Sequence, residues 1–155
     1  MDKVRAIIKR KPLLFLIASV LYLVVLGFLK WQIHPDLSSL YYLTGGLIGV
    51  YFLDIAEEFF AVQPSPFRSI VFVVLFVLVS FFIVSSSGSL LATGLVLSLY
   101  LSLVLRQVGE WQVNGNLNTW YRMLAAPVTV VMQKWLVAVF IGIFLIESVI
   151  FIILR

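Results

Sequence analysis

This sequence predicts an all-α integral membrane protein: one transmembrane domain over residues 1–155, a bundle of five helices. Three observations predict it. Apolar residues make up 63% of the 155-residue chain and charged residues 12%, against roughly 45–50% and 25% in an average soluble domain. Several uncharged stretches are long enough to cross a bilayer, and the cations collect on one side of them. A soluble fold of this length has no interior large enough for so much apolar surface. Cysteine is absent, which excludes disulfides, thiolate metal sites and cysteine nucleophiles.

The first span is expected over 12–30. Pro12 to Leu29 is eighteen residues without a charge, preceded by Lys9, Arg10 and Lys11 and closed by Lys30 and Trp31. At about 1.5 Å rise per residue it nearly crosses a hydrocarbon core of about 30 Å. A secretory signal peptide shares the basic start but has a shorter apolar region and a small-residue cleavage site, whereas the exit here reads Gly27-Phe28-Leu29-Lys30-Trp31. The segment is therefore read as a retained helix.

The second span is expected over 37–60. Asp36 is the candidate N-cap, with Ser38 and Ser39 in the first turn. The run stays apolar from Leu40 to Ala56, except for Asp54, until Glu57 and Glu58 mark the far interface. Pro64 and Pro66 stop it, since neither can continue a helix.

Between Arg68 and Arg106 lie 37 uncharged residues, which as a single helix would be about 55 Å long. The run must fold back, and its break signal is Ser85-Ser86-Ser87-Gly88-Ser89. That gives spans over 67–84 and 90–106, with a re-entrant hairpin over 70–105 as the rival reading. After Arg106 the apolar signal stops, and 107–127 reads as an inner interfacial segment. Within it 117–126 reads as a short interfacial helix presenting Trp120 and Tyr121 to the headgroups. Pro127 suits the first turn of the last span, 128–154, apolar except for Glu147.

With the N-terminus inside, the inner segments hold Lys3, Arg5, Lys9, Arg10, Lys11, Arg68, Arg106, Arg122 and Lys134, and the outer segments hold only Lys30 and Arg155. This nine-to-two ratio predicts N-in, C-out threading in a plasma (cell inner) membrane. The basic start suits a bilayer with an anionic inner leaflet, at about 1 kcal/mol per residue. No aromatic residues interleave it, so nucleic acid is not an expected partner.

Candidate functional residues follow from this threading. Asp54, Glu57 and Glu58 fall within an arc of about 100° and form one acidic face. They stand at a helix C-terminus, where the macrodipole already carries partial negative charge, and so need a counter-ion. Arg106 and Arg68 share their depth. The group reads as an interfacial salt-bridge cluster or, functionally, as an ion site or proton relay. On the fourth span Gly94, Ser98, Ser102, Arg106 and Glu110 recur at i+4, a small-residue packing seam ending in a cation. A second seam, Gly45, Gly49 and Ala56, lies roughly opposite the acids. The second span is then contacted on two sides, leaving one seam for another membrane protein or a second copy of the chain.

Glu147 sits near the middle of the last span with no Lys or Arg at its depth. A charged carboxylate there costs about 2.5 kcal/mol or more on insertion scales. The sequence therefore predicts a neutral acid that hydrogen-bonds to Tyr22, Thr44, Ser80 or Thr93. The lone His34 reads as a turn residue, with no second His or Cys to complete a zinc site. Glycine-rich phosphate loops, HExxH and GxSxG are absent, so neither metal nor cofactor is expected and an enzyme acting on lipid ranks third. The leading expectation is a structural or accessory subunit acting through helix packing. The alternative is a proton or cation channel or transporter stepping through the four acids.

Overall fold

The computed structural model describes residues 12–32, 34, 36–61 and 66–154. Among them the chain is all-helical, without strands: α1 Leu13–Trp31, α2 Leu37–Phe60, α3 Ile70–Ser86, α4 Leu90–Asn114 and α5 Val130–Leu154, plus a 3-10 turn at Asn118–Tyr121. Helices α1, α2, α4 and α5 are long and apolar enough to cross a membrane. The fold is thus a helical bundle of membrane type. The fifth helix, α3, has 17 residues, about 26 Å of rise. The basic residues 3–11, Pro35, Pro64 and Arg155 lie outside the described residues.

Local chemistry sets the helix ends. Asp36 Oδ1 accepts the backbone N–H groups of Ser38 and Ser39 at 3.0 and 3.3 Å, which satisfies two of the donors a helix start leaves open. Ser69 and Ser89 do the same for α3 and α4, accepting from Phe72 and Ala92 at 3.2 Å each. The α3–α4 link is therefore only Ser87-Gly88-Ser89. Gly115, at φ +70°, closes α4 with its N–H on the Trp111 carbonyl at 2.8 Å.

Three sequence expectations need correction. Helix α4 does not stop at Arg106 but continues to Asn114. Polar residues mark where hydrocarbon ends, whereas a helix ends at a backbone breaker, here Gly115. The interfacial helix over 117–126 is only the 3-10 turn at Asn118–Tyr121, and its Trp120 and Tyr121 are buried in the bundle instead of facing headgroups. Finally, α5 begins at Val130, so Pro127 precedes its first turn, and the Thr129 hydroxyl accepts the Met132 N–H at 3.3 Å.

Helices α2 and α4 form the centre. Gly45 faces Leu91, Gly49 faces Leu95 and, further along, Asp54 and Glu57 meet Arg106, so the two helices run parallel. A Cβ on Gly45 would run into the Leu91 carbonyl, one on Gly94 into the Tyr42 carbonyl, and one on Gly49 into the Leu95 carbonyl and the Ser98 hydroxyl. Backbone touches backbone here, the close approach that small residues permit. Gly46 turns to the flexible end of Leu23 on α1. On α5 the buried residues Gln133, Phe140, Phe144, Glu147 and Phe151 lie on one stripe, at steps of seven, four, three and four residues. Lys30 Nζ ties the ends of α1 and α5 together, donating to the Phe151 carbonyl at 2.7 Å.

Alanine substitutions should grade with these contacts. Gly45→Ala and Gly94→Ala must push rigid backbone apart and should each lower stability in detergent by about 1–3 kcal/mol. Gly46→Ala meets only the movable Leu23 side chain and should cost less. Gly142→Ala, with nothing within 4 Å of its Cβ, should be neutral or stabilising by about 0.5–1 kcal/mol. Thermal melts of the four variants check the ordering.

Candidate functional site

Among the described residues, a charge cluster sits where the last turns of α2 meet α4. Arg106 donates from Nη2 to Asp54 Oδ1 at 2.6 Å and from Nη1 to Glu57 Oε1 at 2.8 Å. All three side chains are mostly buried, 14 to 18% exposed. Arg68, just before α3 and half-exposed, brings Nε to 3.7 Å from Glu57 Oε1. Glu58 is half-buried on the same turn. The formal charges of Asp54, Glu57, Arg68 and Arg106 cancel. A guanidinium forked between two carboxylates occupies the place a bound cation would take, and it offsets the negative end of the α2 macrodipole.

The seams do not divide as the sequence suggested. Gly45 and Gly49 face α4, and so do Asp54 and Glu57 through the reach of Arg106, while α1 takes the other side of α2 through Gly46. On α4, Gly94 and Ser98 meet α2, with Ser98 Oγ donating to the Gly46 carbonyl at 2.7 Å. Ser102 turns back to its own helix, donating to the Ser98 carbonyl at 3.0 Å. Ala56 is half-buried. The two seams therefore pack mainly on each other.

The second site is Glu147, fully buried on α5. Its Oε1 accepts from Ser80 Oγ of α3 at 2.9 Å, and its Oε2 has no hydrogen-bond partner among the described residues. Of the other hydroxyls at comparable depth, Tyr22 shares a 2.7 Å hydrogen bond with Ser148, whereas Thr44 and Thr93 donate within their own helices. Tyr100 donates to the Phe140 carbonyl at 2.7 Å. Its ring packs on Phe140, Phe144 and Phe76 with centroids 4.4, 5.0 and 5.5 Å away. This aromatic layer lies between Glu147 and the Arg106 cluster.

Two residues organise the segment after α4. Glu110 accepts from Trp120 Nε1 at 2.7 Å and from the Thr119 hydroxyl. Gln133, fully buried, accepts the Leu117 N–H at 2.8 Å and donates to Asn118 Oδ1 at 2.8 Å and the Val128 carbonyl at 3.2 Å. Sequence reasoning missed Gln133, although it lies on the same α5 stripe as Phe140 and Glu147. A polar residue in register with a buried stripe was the available signal.

A cleft of about 210 Å³ opens between α3 and α5, walled by residues such as Val73, Val77, Val137 and Phe140. Its polar lining is Gln107 and Tyr121. Gln107 is buried, and its Oε1 has no hydrogen-bond partner among the described residues. Burial pushes the Tyr121 phenol above its ordinary pKa, so it stays uncharged. Comparison with protein-family models, curated proteins and solved structures returns no match to this chain.

The charge clamp makes a double-mutant prediction. Arg106→Ala leaves two mostly buried carboxylates together and should cost several kcal/mol in detergent stability. Removing Asp54 or Glu57 as well should cost less than the sum, with a coupling of about 0.5–3 kcal/mol measured by thermal or denaturant unfolding of each cycle.

Proposed function

We propose that the protein is a five-span membrane protein, N-terminus inside and C-terminus outside, that works by packing as a structural or accessory subunit. The arrangement of α3 supports five spans over a re-entrant arm. Arg68 at its start lies 3.7 Å from Glu57 near the end of α2, and two residues beyond the serine turn at its other end the Leu91 carbonyl faces Gly45, in the third turn of α2. Helix α3 thus runs beside about half the length of α2, from Gly45 to Glu57, and its 17 residues rise about 26 Å. The charge ratio supports the orientation and a plasma membrane with an anionic inner leaflet.

The observation that carries the packing reading is the aromatic layer of Phe76, Tyr100, Phe140 and Phe144. A conduction path needs polar groups through the full depth. Here packed aromatic rings lie between the Arg106 cluster and Glu147, and the acids of that cluster are held by arginine. Since the seams pack mainly on each other, a partner would meet the exposed apolar rim at the Arg106 end, where Phe59, Val113, Met123 and Trp135 stand. Purification in mild detergent with cross-linking mass spectrometry tests this. A stoichiometric second protein cross-linked to that rim is the expected result, and a lone homo-oligomer opposes it.

A second reading, proton transport, rests on Glu147 Oε2, a buried carboxylate oxygen with no hydrogen-bond partner among the described residues. Proton flux into proteoliposomes that disappears in Glu147→Gln would establish it. The packing reading expects no flux and a Glu147→Gln variant that keeps fold and assembly. Threading is checked separately. Reporters inserted within Asn114–Asn118 and fused after Arg155 should fall on opposite sides of the membrane.

A further inference from the structure

We propose that the cleft between α3 and α5 is a binding site for a neutral lipid carrying a free hydroxyl at the root of its alkyl chain. The proposal rests on the membrane reading above. The walls on both sides are apolar throughout: Ile70, Val73 and Val77 from α3 face Leu136, Phe140 and Ile143 from α5. An engineered apolar cavity of about 150 Å³ holds benzene, so a cleft of about 210 Å³ takes a length of hydrocarbon. The cleft is open along its side, where Val74, Leu78 and Val139 are more than half exposed. In a bilayer that side meets acyl chains.

The polar end fixes the head of the ligand. Tyr100 is level with Phe76 and Phe140, and Gln107 is about two turns further along α4, at the level of the α3 start. There Gln107 and Tyr121 close the cleft. Gln107 Oε1 is buried without a donor among the described residues, which is destabilising, and a ligand that brings an N–H or O–H there relieves it. Among the described residues the lining holds no charged side chain to balance a phosphate or ammonium. The donor must also sit next to the chain, because Gln107 is buried at the end of an apolar walled slot. A free glycerol hydroxyl or a long-chain alcohol meets all of these requirements. A lone water in its place needs two to four polar partners and leaves the walls unfilled.

The test uses protein in phosphatidylcholine nanodiscs, irradiated with a diazirine-bearing hexadecanol, with labelled peptides mapped by mass spectrometry. Label should concentrate several-fold on 70–78 and 136–143 over the exposed Ile17–Val24 face of α1. Excess dioleoylglycerol should suppress that label, and its acetyl-capped triester should not. Gln107→Leu should make the two competitors equivalent, and Val139→Trp, which covers the open side, should reduce labelling at both walls. Even labelling of α1, α3 and α5, or equal competition by both glycerides in the unaltered protein, would overturn the proposal whatever the variants do. If the protein leaves membranes in a carbonate wash, the membrane reading itself fails, a result distinct from either.

Discussion

Contact between two backbones, α2 against α4, is the constraint from which the rest of the bundle follows. In an apolar solvent the hydrophobic effect does not drive helices together; close packing and interhelical hydrogen bonds do. Gly45, Gly49 and Gly94 leave no side chain in the way, and Ser98 crosses the gap to the Gly46 carbonyl at 2.7 Å. Because the two helices run parallel, the chain must return between them, and α3 is that return. The same approach lays Arg106 beside the last turns of α2, where its fork reaches Asp54 and Glu57. The glycines set the distance, and the arginine fixes the register.

Around this pair the buried polar groups are arranged in short, separate contacts at different depths. Ser80 meets Glu147, Tyr22 meets Ser148, and Tyr100 meets the Phe140 carbonyl. Each removes a desolvation cost where water is absent, and each joins two helices. Three buried side-chain atoms have no partner among the described residues: Tyr42 Oη, Gln107 Oε1 and Glu147 Oε2. Tyr42 is enclosed by the rings of Trp31 and Phe151 at 5.5 and 5.0 Å, whereas Gln107 lines an open cleft. That difference in surroundings is why Gln107 points to a ligand and Tyr42 does not.

Much of the fold is legible in the sequence because uncharged length is a direct report of hydrocarbon depth. The runs before Lys30 and Glu57 and the serine-rich break at 85–89 mark helices to within a few residues, and Asp36 announces its cap. What hydropathy cannot report is where a helix ends once it has left the apolar layer, and α4 runs on to Asn114 for that reason. The segment after it is shaped by side chains from the helices on either side, Glu110 of α4 and Gln133 of α5, which capture Trp120 and the Leu117 N–H. Such capture depends on tertiary neighbours and leaves only a faint local trace. Depth matching narrowed the partners of Glu147 to four, but choosing Ser80 required knowing that α3 lies beside α5.

Lys30 has a consequence for the order of assembly. Its ammonium sits on the Phe151 carbonyl, 121 positions away, and Tyr22 on the same helix reaches Ser148 across 126. Helix α1 is made first, since synthesis proceeds from the N-terminus, yet its two polar anchors belong to the helix made last. Among the described residues, the other contacts of α1 are with the α2–α4 pair. Docking of α5 therefore adds these two anchors to α1 after the α2–α4 pair it rests on has already been made.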